Sequence, residues 1–117
     1  MKSSKTKPAG KRQERIAALN DQFRQTMTDG RMLMTSGVQA HGAAFIANAL
    51  TAMQQFTAFD ARNDPYGEHD FGAFEVDGQR LFFKIDYYAP DMEHGSEDPA
   101  DPSITARVLT IMLADEY

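Results

Sequence analysis

NDPYGEHDFGAFEVDGQRLFFKIDYY, residues 63–88, gathers seven of the chain's twelve aromatic residues around a single Asp-Gly pair. Asp77-Gly78 suits a two-residue hairpin loop, because both positions tolerate the positive φ such a turn requires. Strand-like runs flank it, Phe71 to Val76 before and Gln79 to Tyr88 after. Closing the loop pairs Val76 with Gln79, Phe74 with Leu81 and Gly72 with Phe83. Side chains alternate across a strand, so Phe74, Val76, Leu81, Phe83, Ile85 and Tyr87 share one face, predicted to be core. The opposite face carries Phe71, Ala73, Glu75, Arg80, Phe82, Lys84, Asp86 and Tyr88. It is neither plainly solvated nor plainly apolar, and a binding surface is expected there.

Outward from the hairpin, periodicity places the other elements. Ile16, Leu19, Phe23 and Met27 recur at helical spacing over about 12–28, and Asp29-Gly30 ends that helix. Arg31 to Ser36 reads as a short strand. Phe45, Ile46, Ala49, Leu50, Met53 and Phe56 predict a second helix over about 43–58. Residues 89–103 hold three prolines and five acids and read as a long irregular loop, a kind that is usually functional or mobile. Its acids do not fit a calcium loop, since Pro102 falls where the closing bidentate Glu belongs. Val108 to Leu113 suits a buried strand as well as a helix. Asp101-Pro102 is a good helix start, and the reading adopted is a helix from about 104. The fold expected is α+β: a small antiparallel sheet of about three strands, with the hairpin 71–88 at its centre, packed with helices in the order α-β-α-β-β-α.

At 117 residues the chain is long enough for one domain with its own core. That domain is expected over 12–117, preceded by a disordered basic tail over 1–11. There is no cysteine, which excludes disulfides, thiolate nucleophiles and Cys-type zinc sites. No membrane span or secretory signal is apparent, so the expected location is the cytoplasm. Residues 1–59 carry eight Lys/Arg against three Asp/Glu, while residues 60–117 carry four against fourteen. An acidic body disfavours a phosphate backbone as partner. Only the basic tail, with Lys2, Lys5, Lys7 and Lys11, and the adjoining Arg12 and Arg15 suit nucleic acid.

The blocks NDPYGEHDFG, KIDYY, SEDPADP and RVLTIMLADEY resemble, in order, the signature blocks of a family of short bacterial proteins known only as a domain of unknown function. The resemblance spans about residues 14–117 and departs around Val38 to Ala44. It implies a compact cytoplasmic domain and a mobile-element setting, and it brings no activity, cofactor or catalytic residue.

The residues support two functional readings. The first is a non-enzymatic interaction or inhibitor-type protein, without cofactor or catalytic residues. It would bind a protein partner, such as the nucleic-acid-handling machinery of a mobile element, through the acidic and aromatic C-terminal half. Its candidate contacts are Tyr66, Glu68, His69, Asp70, Arg80, Phe82, Lys84, Asp86 and Tyr88, a composition typical of interface hot spots. The alternative is a small metal-dependent hydrolase in which Asp64, Glu68, His69, Asp70 and Asp86 hold the ion. Against it, adjacent strand residues such as His69 and Asp70 point to opposite faces, and Asp64-Pro65-Tyr66-Gly67 is ordinary turn chemistry. No phosphate loop or nucleophile elbow is present. The acid–lysine order of many nucleases is broken at Phe82.

Overall fold

The computed structural model describes residues 10–117. The expected tail falls outside the described residues except at Gly10, which caps the first helix, and Lys11, which begins it. That helix, α1, runs Lys11–Thr26. It is followed by β1 (Gly30–Met34), the short α2 (Ser36–Gln39), α3 (Ala43–Gln55), β2 (Phe71–Val76), β3 (Gln79–Tyr88) and β4 (Ala106–Leu113), with single 3-10 turns at Pro102–Ile104 and Ala114–Glu116.

The class is α+β, but the sheet has four strands in the order β1-β4-β3-β2, and it is mixed. β2 and β3 form the hairpin in the register read from the sequence, with Gly72 opposite Phe83, Phe74 opposite Leu81 and Val76 opposite Gln79. Asp77 and Gly78 both take positive φ, 51° and 80°, as the tight turn demands. β4 pairs antiparallel with β3 and parallel with β1.

The helix expected from about 104 is instead β4. Asp101 and Pro102 do start a helical turn, with the Asp101 side chain accepting from the Ser103 amide, but it stops after three residues. The chain then enters a central strand in which Val108, Leu109, Ile111 and Met112 are all buried. A strand flanked on both edges loses its polar alternation and reads as a continuous apolar run, which periodicity alone does not separate from a buried helix.

The helices cover one face of the sheet. Phe23 of α1 and Val38, Phe45, Ala49 and Met53 of α2 and α3 join Leu81, Phe83, Ile85, Leu109 and Ile111 in the core. Phe56 meets Phe83 edge-on, with centroids 5.4 Å apart. Gly72 makes this approach possible, since a Cβ there would lie 2.7 Å from the Phe56 ring and closer still to Phe83.

The buried stripe of α1 is rotated from the expected one. It consists of Ile16, Ala17, Asn20, Phe23 and Arg24, so two polar side chains occupy the inward face. Arg24 is 2% exposed. Its Nη1 donates to the carbonyls of Met53 and Phe56, at 2.9 and 3.0 Å, closing the C-terminus of α3 where carbonyls lack helical partners.

Candidate binding surface

Among the described residues no helix crosses the face of the sheet away from α1 and α3, but the last 3-10 turn packs against β3 and Val108 and Met112 are buried on this face. Register places Arg31 and Leu33 of β1, Val108, Thr110 and Met112 of β4, Arg80, Phe82, Lys84, Asp86 and Tyr88 of β3, and Phe71, Ala73 and Glu75 of β2 on it. Its focus is a cluster of three rings. Phe71 and Phe82 lie 5.1 Å apart, and Tyr117 stands 5.4 Å from Phe82 and 5.9 Å from Phe71. Arg80 extends over the Phe82 ring at 5.8 Å. Beside them Asp60, Arg62, Asn63, Phe71, Ala73, Arg80 and Phe82 line an open groove of about 450 Å³.

Tyr117 is positioned by its neighbour. The Glu116 carboxylate accepts from the Thr35 hydroxyl and from the Leu113 and Gly37 amides, tying the last 3-10 turn to the start of α2. Those contacts, the Thr35 hydroxyl first, hold the Glu116 carboxyl below its ordinary pKa. Lys84 bonds Asp86 at 2.9 Å, and that bond raises the Lys84 pKa.

The exposed charge on this face is mixed. From Gly30 onward the basic residues outside the interior are Arg31, Arg62, Arg80 and Lys84, and they share this face and its groove with Glu75, Asp86 and Asp60. Three of the five acids of the 89–103 loop are held by nearby amides, and Asp98 also pairs with Arg12 of α1 at 3.2 Å. Asp91 accepts from the amides of Glu93 and His94, Asp98 from Ala100 and Asp101 from Ser103. Donation to Asp91, from the Glu93 amide above all, and to Asp101, from the Ser103 hydroxyl first and then its amide, pulls both carboxyls below their ordinary pKa. The loop expected to be irregular is thus a series of turns, with Gly95 bridging to Tyr88.

The candidate residues of the 64–70 turn do not join the sheet face. Asp64, 8% exposed, accepts from the amides of Glu68 and His69 and so fixes a turn in which Gly67 and His69 have φ of 70° and 58°. The His69 ring points back at α1. Its Nδ1 lies 3.0 Å from both Asp21 oxygens, its Nε2 lies 3.7 Å from Asp64, and it stacks on Phe59 at 4.0 Å. Asp21 in turn receives Arg24. Glu68 accepts from the Tyr87 hydroxyl, on the helix side of the sheet. Burial, then the Glu68 charge, pushes the Asp70 carboxyl above its ordinary pKa. Tyr66 is 76% exposed at the tip.

Consequently the alternative metal set is not gathered. His69 faces Asp21 and Asp64 below the sheet, while Asp86 lies on the opposite face against Lys84. Among the described residues no three His, Asp or Glu side chains are placed to hold one ion.

A buried polar network, absent from the sequence reading, joins α1 to β3 and β4. Asn20 donates to the Glu68 carbonyl and the Tyr87 hydroxyl and accepts from Arg107 Nε, all within 2.9 Å. Burial drives the Tyr87 pKa up and that of Arg107 down. The available signal was Asn20 and Arg24, placed four and eight residues after Ile16 on the stripe that should be apolar. Tyr117 carried no signal, because its contact with Phe82 depends on the turn made by Glu116.

These residues can be set against known proteins. A family model described as "Protein of unknown function (DUF3768)" matches residues 34–116. The chain belongs to that family. No curated protein and no solved structure matches it. The DUF3768 span takes in the ring pair Phe71–Phe82, the 64–70 turn and Arg107. It excludes α1, and with it Asn20, Asp21 and Arg24, which hold that turn in place. Among the described residues no helix is long and apolar enough to cross a membrane.

Proposed function

We propose that the chain is a non-enzymatic interaction protein that binds a protein partner through the sheet face that no helix covers. The observation that carries this reading is the cluster Phe71, Phe82 and Tyr117 beside Arg80 on a face that no helix covers. Aromatic and Arg side chains around a concavity are the usual anchors of protein interfaces. An apolar anchor seated against the three rings, flanked by polar groups that meet the paired charges of Arg80, Glu75, Arg62 and Asp60, fits this face. The acidic remainder repels polyanions and steers the encounter. Arg80, Phe82, Lys84, Asp86 and Tyr88 remain contact residues in this reading, joined by Phe71 and Tyr117. Glu68, His69 and Asp70 become supports of the turn behind them. The metal-dependent hydrolase gains no support, because its five residues are divided between two sides of the sheet.

The test is co-purification from the native host with three baits: the unaltered protein, a Phe82→Ser/Arg80→Glu double variant, and a Glu97→Lys variant on the acidic loop. A partner retained by the first and third baits and lost by the second is the expected result. Equal retention by the double variant would sink the proposal.

A further inference from the structure

On the helix side of the sheet, α1 and the segment leading into β4 enclose a cavity of about 450 Å³, lined by Leu19, Gln22, Phe23, Thr28, Asp29, Pro102, Thr105 and Arg107. Such a volume accommodates a small organic molecule. Arg107 is 4% exposed; no carboxylate pairs with it directly among the described residues, although the charge of Glu68, bonded to the Tyr87 hydroxyl beside it, favours the cation. Its fixed contacts are neutral: Nε donates to Asn20, Nη2 donates to the Pro99 carbonyl, and the guanidinium lies 5.3 Å from the Tyr87 ring. Nη1 has no hydrogen-bond partner among the described residues. It is not sealed in either, because the one buried polar side-chain atom without a partner there is Arg24 Nε. A buried cation is costly unless it is paired, and a guanidinium held rigidly by two of its nitrogens is prepared to take a planar oxyanion on the third.

We propose that this cavity binds a small organic carboxylate. Arg107 supplies the counter-ion, the Gln22 amide supplies a further donor, and Leu19, Phe23 and Pro102 bed the apolar body of the ligand. Asp29, exposed at the rim, opposes the ligand's charge and keeps the affinity low. The site lies across the sheet from the proposed protein-binding face, and neither reading depends on the other.

The experiment is an NMR titration of the ¹⁵N-labelled full chain at constant ionic strength with phenylacetate, with acetate, with neutral 2-phenylethanol and with inorganic phosphate. Phenylacetate should give saturable shifts at Gln22, Thr28, Asp29 and Thr105 and at the Arg107 Nε–H, with roughly millimolar affinity. Acetate should bind more weakly, and 2-phenylethanol should produce no saturable shift. Arg107→Gln should weaken phenylacetate binding by at least about tenfold, the loss of a charge-assisted hydrogen bond. Because that variant also disturbs the Asn20 network, Asp29→Asn is the safer arm. It keeps a residue type that tolerates the positive φ at this position, and it should tighten binding by about threefold through removal of a nearby like charge. The proposal is overturned if phenylacetate gives no saturable shift at these residues, if 2-phenylethanol binds equally, if phosphate binds ahead of phenylacetate, or if Asp29→Asn leaves the affinity unchanged.

Discussion

Replacing Arg24 with Met tests how α1 is fastened to the rest of the fold. The two side chains are similar in length, so the substitution removes the guanidinium while leaving most of the volume. Lost with it are two hydrogen bonds to the carbonyls of Met53 and Phe56, the 2.7 Å bond to Asp21 and the stacking of the cation on Phe59 and Phe83, at 5.2 and 5.4 Å. Burying a whole ion pair is often no better than burying apolar side chains, but removing one partner alone leaves the other groups stranded. Here the stranded groups are carbonyls at a buried helix end and the carboxylate that orients His69. The Phe56 carbonyl left unmet at about 1–2 kcal/mol, a Met53 carbonyl reduced to its long bond from the Phe56 amide, and the lost bond to a charged group at about 1.5–3 kcal/mol amount to about 3–5 kcal/mol. Relief of the desolvated Nε, which has no partner, offsets a small part. For a domain of this size about 4 °C accompanies each kcal/mol, so the melting midpoint by circular dichroism should fall by about 12–20 °C. Amide exchange should accelerate at the end of α3. A midpoint within about 3 °C of the parent would refute the view that Arg24 caps α3 and would mean that its burial costs as much as its bonds return.

Three further outcomes are expected. Gly78→Val should destabilise by about 1 kcal/mol or more, because a β-branched residue resists positive φ; an unchanged urea midpoint would count against the turn. Asp70 has a folded-state pKa above its unfolded value, so the folded state binds the proton more tightly. Its ionisation therefore costs stability at neutral pH, and the cost fades as pH falls through the folded pKa. Asp70→Asn should melt above the parent at pH 7, with the advantage shrinking on acidification; a lower melting point at pH 7 would contradict the assigned burial. Magnesium, manganese, calcium and zinc should each leave the melting point essentially unmoved, whereas a saturable rise abolished by Asp70→Asn would revive the hydrolase.

Legibility in the sequence tracked the range of the interactions. The hairpin register was readable because the Asp77-Gly78 turn fixes it locally, and α3 because its apolar spacing is unbroken. β4 was not, since Val108 to Leu113 is buried on both faces and leaves no alternation to detect. Its parallel pairing with β1 joins segments more than seventy residues apart, and no local signal encodes that. For the site, the alternation of β2 and β3 correctly set Phe71, Arg80, Phe82, Lys84, Asp86 and Tyr88 on one face. Residues 64–70 looked like part of the same surface because they are close in sequence and rich in chemistry. Positive φ at His69 turns its ring toward α1 instead, an orientation that neither composition nor spacing reveals. Asn20 and Arg24 were hidden by the assumption that an inward stripe is apolar.

The most direct test of the protein-binding face is hydroxyl-radical footprinting of the chain alone and in complex with its captured partner, because oxidation reads side-chain exposure residue by residue. Protection of Phe71, Phe82 and Tyr117 in the complex is expected, with Met92 and His94 on the acidic loop unchanged. Protection confined to that loop, with the three rings as reactive as in the free chain, would contradict the account.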